Sequence, residues 1–376
     1  MIRPLSTTTE KFYQHVGKPI LFRIPPDTVH QQLIKTGSVL QKSRLLRRTM
    51  QKSWAYNNRT ALSQRIHGIT FKNPVGLSAG FDKNFKLPLL MNAIGFGFME
   101  GGSLTLEACE GNPKPWFYRL PASKSLVVHV GLANDGVEAI MQRLRSYSIG
   151  PLLGFPLNIS VAKTNSSRTC SDTEAIADYI GSLRCIKRSA IGDMITLNIS
   201  CPNTYGGEPF TTPDRLDLLL ASVDKLHLSQ PVFIKMPSHL SWEEFNVLLR
   251  VIARYHIDGV TIGNLAKDRS KVALKDPLPE SIQGGLSGKP TRKATNDLIR
   301  KTRRTYGNRF IIIGVGGIFT AEDAYEKIRL GANLVELITG MIFEGPQRIG
   351  QINKGLVALL ERDGYENISE AVGTMV

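Results

Sequence analysis

The chain is poor in the residues that staple or ligate. Its four cysteines, Cys109, Cys170, Cys185 and Cys201, stand among 376 residues with no C-x-x-C spacing. Neither a disulfide framework nor a cysteine zinc site is expected, and the thiols are read as reduced. Seven histidines form no ligand-spaced cluster, so no metal centre is expected. No run approaches the ~20 apolar residues that span a bilayer. Residues 1–20 also lack the apolar core and small-residue cleavage site of a secretory signal, so the chain is read as uncleaved and on the cytoplasmic side. Acidic residues are scarce as well: 32 against 47 basic ones leave a formal charge of +15. That excess favours an anionic partner such as a membrane surface, nucleic acid or a phosphorylated small molecule, without choosing among them.

What is present argues for a large packed core. Apolar residues make up 42% and glycines number 34, the balance of a globular chain long enough for one large α/β domain with an appendage. The charge is local: the first 60 residues hold eleven basic side chains against Glu10 and Asp27. Within them Asp27 to Lys52 places Val29, Leu33, Leu40, Leu45 and Leu46 among basic and polar residues, which reads as short helices, with Asp27 as a candidate N-cap, that carry one apolar side. That side either docks on the main domain or rests on anionic lipid, and the two are compatible.

From residue 62 onward, short apolar runs alternate with longer helix-like stretches. Eight runs stand out: Pro74–Ser78, Gly97–Glu100, Leu157–Val161, Met194–Ile199, Val232–Met236, Gly259–Ile262, Phe310–Val315 and Leu334–Thr339. Most read as continuously buried parallel strands. Between them Asp135–Arg145, Thr173–Lys187, Pro213–Leu226, Ser241–Tyr255, Lys293–Tyr306 and Thr320–Leu330 read as helices, several with capping side chains at their starts. Eight βα units predict a TIM (β/α)8 barrel over 62–376 with a small basic N-terminal helical cap over 1–61; a doubly wound open sheet would leave two runs unused. Lys114–Gly131 reads as a hairpin over the barrel mouth and Ala266–Pro290 as a long functional loop.

In a barrel the chemistry sits just after the strands. Here those positions are polar: Ala79-Gly80-Phe81-Asp82-Lys83 follows the first run, Asn158 lies in the third, Asn198-Ile199-Ser200-Cys201-Pro202-Asn203 closes the fourth, Lys235 lies in the fifth and Asn264 follows the sixth. The last two runs end in Gly314-Val315-Gly316-Gly317 and Thr339-Gly340, turns that let backbone N–H groups approach a phosphate. Lys83, Lys235 and the carboxamides suit a flavin mononucleotide (FMN) better than a sugar phosphate, because a flavin edge needs hydrogen bonds and positive charge at its pyrimidine end. Cys201, between polar neighbours after a strand, is a candidate general base; Cys170 and Cys185 read as inert.

These segments together resemble the dihydroorotate dehydrogenases, from about residue 20 to about 347. The stretches FKNPVGLSAGFDKN, AIGFGFMEGGSLT, LNISCPNT, HIDGVTIGN, GGLSGKPT, IIIGVGGI and TGMIFEGP carry the likeness. The N-terminal PILFRIPPDTVHQQL is similar to the cap of the membrane-associated, quinone-reducing class, where it holds a quinone tunnel. The resemblance implies that Ala79, Gly80, Lys83, Ser103, Asn158, Asn198, Lys235, Gly263, Gly288, Gly317 and Thr339 hold FMN, beside Gly316 and Gly340 of the glycine turns. It implies that Lys83, Asn198, Asn203 and Asn264 hold dihydroorotate or orotate. Cys201 would be the base that removes the C5 proton as hydride leaves C6, with Lys83 stabilising charge, and a quinone would be the final acceptor. The chain would lie peripherally on the cytoplasmic side of an anionic membrane, with no nucleic-acid partner.

The chain also departs from the quinone class. Cys201 replaces the serine of that class and matches the soluble classes. Val128 and Leu132 stand in place of a substrate-binding asparagine and a phenylalanine, and Leu265 in place of a small hydroxyl residue. A lost hydrogen-bond partner costs roughly 1–3 kcal/mol, so weaker orotate binding or a related substrate is the expectation at that wall. The alternatives are a soluble-acceptor enzyme using fumarate or NAD, and an FMN-dependent reductase of the tRNA dihydrouridine synthase type. A membrane-binding module on an inactive barrel is a third, and a colourless protein unable to take up FMN would point to it.

Overall fold

The structure, a computed structural model, describes residues 4–147, 152–201, 204–205, 207–269 and 272–376. Eight strands lie in it where the apolar runs stand: β1 (Val75–Leu77), β2 (Phe98–Leu104), β3 (Leu157–Val161), β4 (Met194–Asn198), β5 (Val232–Met236), β6 (Gly259–Ile262), β7 (Ile311–Val315) and β8 (Leu334–Leu337). Each pairs in parallel with the next, and β8 pairs back onto β1 through Val335 and Val75, Glu336 and Gly76, Leu337 and Leu77. Closure excludes the open sheet. β1 to β6 and β8 are buried at every position and β7 is half-buried only at its two ends, because one face meets the barrel interior and the other a helix, which is why they read as unbroken apolar runs.

The surrounding helices begin where capping chemistry predicts. Ser241 and Thr320 form reciprocal capping boxes with Glu244 and Asp323 at the starts of Trp242–Ile252 and Ala321–Arg329, and Ser171 accepts from the Glu174 amide at the start of Asp172–Ser189. A hairpin of Gln64–Ile66 and Ile69–Phe71 precedes β1. Its Ile66 and Phe71 pack with Phe98, Met194, Phe233, Ile313 and Leu334, drawn mainly from strand starts. This plug seals the N-terminal end of the barrel and leaves the opposite rim for a ligand.

The two insertions form one structure. Phe117–Leu120 and Ser125–Val128 pair antiparallel, and Gly285–Leu286 from the second insertion adds a third strand beside Val127 and Val128. The second insertion, read from sequence only as a loop, is thus partly sheet. Asp276 within it accepts from the Ala122 and Ser123 amides at the hairpin turn, at 3.0 and 2.6 Å.

The N-terminal region folds as helices Pro4–Phe12, Lys18–Arg23, Pro26–Leu40, Arg44–Trp54 and Arg59–Leu62, with a π-helical turn over Tyr13–Gly17. Asp27 is not the N-cap that the sequence suggested. Pro25 takes that position, and Asp27 lies in the first turn. Its carboxylate is used across the interface instead, accepting from the Trp116 amide at 3.0 Å and the Phe117 amide at 3.4 Å. Tyr13 donates to the Ile342 carbonyl at 2.6 Å, Gln14 to the Phe343 carbonyl at 3.1 Å, and Arg348 pairs with Glu10 at 2.8 Å. The apolar side of the cap is therefore only partly spent on docking: Phe12, Ile20, Val39 and Leu45 remain more than half exposed.

Candidate active site

The C-terminal rim of the barrel opens into one cavity roofed by the hairpin and the Pro26–Leu40 helix. Into it come Ala79, Gly80 and Lys83 after β1, Ser103 from β2, Asn198 and Cys201 at the end of β4, Lys235 from β5, Gly263 and Asn264 after β6, Gly288 from the second insertion, Gly316 and Gly317 after β7, and Thr339 and Gly340 after β8. The structure thus brings together nearly every residue singled out from the sequence. Asn158 is the exception among the described residues: it stands fully buried inside the barrel, donating to Thr196 Oγ1 at 2.8 Å, and does not line the cavity. Asn203 lies outside the described residues.

Hydrogen bonds fix the carboxamides before any ligand arrives. The Asn198 side chain donates to Ser103 Oγ at 2.8 Å, and its backbone carbonyl accepts from Tyr179 Oη at 2.8 Å. Asn264 donates to the Ser200 carbonyl and hydroxyl at 2.8 and 2.7 Å. Such locked rotamers are what a pre-organised site requires. Asp82, fully buried, accepts from the Lys86 and Leu87 amides at 2.9 and 2.6 Å and so pins the loop that carries Lys83. The Lys83 ammonium lies 5.4 Å from the Phe117 ring centroid and 5.9 Å from that of Trp116, and desolvation there pushes its pKa down to about 8, against the pull of Asp82 and Asp27.

Cys201 lines the cavity at the start of the loop after β4. Behind it Lys163 is buried and donates to the Tyr205 carbonyl at 2.6 Å. Desolvation lowers the Lys163 pKa, while Cys170, Asp178 and Cys201 pull it upward. The attraction is mutual, so a buried positive charge stands near the thiol.

The glycine turns after β7 and β8 meet. A Cβ on Gly340 would lie 2.1 Å from the Ile318 carbonyl oxygen, so the two loops touch backbone to backbone. Gly316 and Gly317 take φ of +101° and +73°, where only glycine is at ease, and a Cβ on Gly317 would strike Arg292 at 2.4 Å. Ser287 and Thr339 share a hydrogen bond at 2.9 Å on the neighbouring wall. A paired, side-chain-free cradle of this kind at the ends of β7 and β8 fits a phosphate, and the Lys83, Lys235 and carboxamide set along the rim fits a flavin ring. The residues present therefore suit flavin mononucleotide.

Sequence reasoning anticipated a tunnel under the cap but assigned no residue to the outer half of the cavity. His30 lies edge-on to Phe81 and beside Phe117, with centroids 5.5 and 5.3 Å away. Desolvation first and Lys83 second push its pKa down to about 3, so it is neutral. Val29, Leu33 and Phe117 continue the wall, and Arg119 lies beside them, donating to the Phe22 and Ile24 carbonyls at 3.3 and 2.7 Å. The alternation of apolar residues in the cap was the available signal for Val29 and Leu33; nothing local marked His30 or Arg119.

A family model described as dihydroorotate dehydrogenase matches residues 61–360. A dihydroorotate dehydrogenase (quinone) of Crocosphaera subtropica is 36% identical over 362 residues, covering 93% of each chain. That of Nostoc punctiforme is 34% identical over 372 residues, covering 96% of this chain and 97% of its own. Among solved structures, the ligand-free type DHODH from Eimeria tenella superposes with a TM-score of 0.80 at 26% identity, covering 93% of this chain and 99% of that one. The same enzyme in complex with ferulenol gives 0.77.

Proposed function

The chain belongs to the dihydroorotate dehydrogenase family, and from that premise we propose how its cavity does the work of a quinone-dependent member, oxidising dihydroorotate to orotate. The observation that carries the reading is the continuity of one cavity from Cys201, Lys83, Asn198 and Asn264 at the barrel rim to His30, Leu33, Phe117 and Arg119 under the cap. The inner end offers hydrogen bonds and charge to a polar ring; the outer end offers an apolar channel with one guanidinium. Two chemically unlike substrates have a place in the same enclosure.

FMN would lie with its phosphate against Gly316, Gly317 and Gly340 and its ring edge toward Lys235, Asn198 and Ser103, and when bound it supplies the acceptor for hydride and the store for two electrons. Lys83, Asn198 and Asn264, with Asn203 as a further proposed ligand, orient the substrate ring and its carboxylate. Cys201, as thiolate, takes the C5 proton while the C6 hydride departs, leaving the C5=C6 double bond of orotate; Lys163 stabilises that thiolate. Arg119 and the neutral His30 meet the carbonyl end of a quinone, while Val29 and Leu33 pack on its apolar part.

No helix among the described residues is long and apolar enough to cross a membrane. Exposed Leu45 stands in the same helix as Arg44, Arg47, Arg48 and Lys52, and exposed Phe12, Ile20 and Val39 stand in the other cap helices; apolar and basic side chains exposed on one small cap are the combination that rests on anionic lipid. Residues 1–61 would then act as the membrane-facing cap of the 62–376 barrel, placing the protein peripherally on the cytoplasmic side.

Anaerobic titration tests the reading. Dihydroorotate should bleach the flavin absorbance of the purified protein, and a short-chain ubiquinone analogue should restore it. Absence of bleaching sinks the substrate assignment, and recovery with fumarate or NAD but not quinone sinks the acceptor.

A further inference from the structure

The barrel interior just below the rim holds three ionisable side chains that the reaction described above does not fully use. Glu100 from β2 and Glu336 from β8 have no exposed surface, and Lys235 from β5 has 4%. Lys235 Nζ lies 3.4 Å from Glu100 Oε1 and 3.4 Å from Ser78 Oγ. Glu336 and Lys235 both line the cavity. Neither Glu336 oxygen has a hydrogen-bond partner, and Glu100 Oε2 has none either.

Two acids and one base buried together cannot all be charged at low cost. Glu100 is paired with Lys235; a second carboxylate would leave a net negative charge with two unsatisfied oxygens. Like-charge carboxyls sharing a site retain one proton for this reason. We propose that Glu336 holds that proton, and that this neutral carboxylic acid is a fixed hydrogen-bond donor on the floor of the cavity, aimed at a carbonyl or imine acceptor of the ring above it. The groups that reach Glu336 are Glu100, Lys235 and the Ser78 hydroxyl: burial first and Glu100 second, through its charge and its proximity, push its pKa well up, against Lys235 and Ser78. The donor role rests on the flavin reading; the location of the proton does not.

Infrared spectroscopy and flavin binding separate the two parts. The wild-type minus E336Q difference spectrum of the purified protein at neutral pH should contain a protonated-carboxyl C=O band that shifts in D2O. E100Q should abolish it, because Glu336 would then ionise to pair with Lys235. A carboxylate band in the wild-type minus E336Q difference overturns the proposal. E336Q, neutral and still a donor, should keep the flavin's two-electron equilibrium within tenfold of wild type, about 30 mV, and retain its affinity. E336L, which cannot donate, should bind flavin about tenfold more weakly, with E336Q as the rescue. Equal affinity of E336L and wild type refutes the donor role. A protein that takes up no flavin refutes the functional reading instead, and leaves the infrared result standing.

Discussion

The contact between the two glycine turns gives a sharp test of the cofactor cradle. In Gly340→Ala the new Cβ would sit 2.1 Å from the Ile318 carbonyl oxygen, where real Cβ contacts essentially never fall below 3.0 Å. The loops after β7 and β8 must therefore part by about 1 Å, and overpacking of this kind costs about 1–3 kcal/mol. Gly340 lies within a helical segment, Thr339–Glu344, so alanine also recovers about 1 kcal/mol of helix propensity. The steric cost equals or exceeds that gain, and the net loss of fold stability is about 0–2 kcal/mol. The larger effect falls on the ligand: separating the two turns by about 1 Å removes backbone donors from one side of the phosphate, and an affinity loss of about tenfold to a hundredfold corresponds to one or two hydrogen bonds to a charged group. The assay is flavin dissociation by fluorescence recovery, alongside thermal melts with and without added FMN. Gly364→Ala is the control, since Gly364 has φ of +79° at the end of the Arg348–Asp363 helix and no atom near its Cβ position. It should lower stability without touching flavin affinity. A Gly340→Ala protein with wild-type flavin affinity, or a Gly364→Ala protein that loses as much, refutes the cradle.

Cys201→Ala should keep its yellow colour and lose about 10²–10⁴ in the rate of flavin reduction by dihydroorotate; stopped-flow reduction at the wild-type rate removes Cys201 from the role of base. Arg119→Ala deletes two hydrogen bonds to cap carbonyls and the cation over the Phe22 ring, 4.6 Å from its centroid. It should cut kcat/KM for quinone by about 10- to 100-fold while flavin reduction by dihydroorotate is unchanged; equal losses in both half-reactions contradict a role confined to the acceptor. Lys327 is fully buried, with its ammonium on Thr295 Oγ1 at 2.8 Å and Asn296 Oδ1 at 2.7 Å, and desolvation pushes its pKa from 10.5 down to about 7. The folded state then binds fewer protons than the unfolded chain between those two values, so stability rises with pH across that window, by up to about 5 kcal/mol. Denaturant melts from pH 7 to 10 should show this rise in wild type and a flatter profile in Lys327→Met; parallel profiles refute it.

The barrel was legible because its strands are buried on both faces, so each appears as an apolar run whatever its neighbours do. Two helices were legible to the residue at their starts because Ser241 and Thr320 announce them, while a third, read from Thr173, is capped two residues earlier by Ser171. The rim residues followed from their places at run ends. What stayed hidden depends on contacts between segments far apart in the chain. Arg119 has meaning only once Phe22 and Ile24 lie against it, and Asp27 looked like a cap because its true partners, the Trp116 and Phe117 amides, are about ninety residues away. Glu100 and Glu336 were in plain view inside GFME and LVELIT. A lone acid in an apolar run reads as a strand-end residue until closure of the barrel puts two of them beside one lysine.

Val128, Leu132 and Leu265 all line the cavity, so the departures noted in the sequence fall in the wall of the candidate site. Val128 is held by its backbone in the middle of the three-stranded sheet, opposite Phe117 on one side and Gly285 on the other. That wall cannot easily turn another group inward. Together the three side chains make part of the inner cavity wall apolar, and on the proposed reading the polar contacts to a dihydropyrimidine come from Lys83, Asn198 and Asn264. On that reading the carboxylate of the substrate leans on Lys83, an ammonium whose pKa burial has already brought to about 8. An anion bound beside it raises that value again, by the same coupling through which the ammonium holds the anion. On the proposed reading substrate affinity is thus tied closely to one lysine, and it should weaken as pH rises through the range where Lys83 loses its proton.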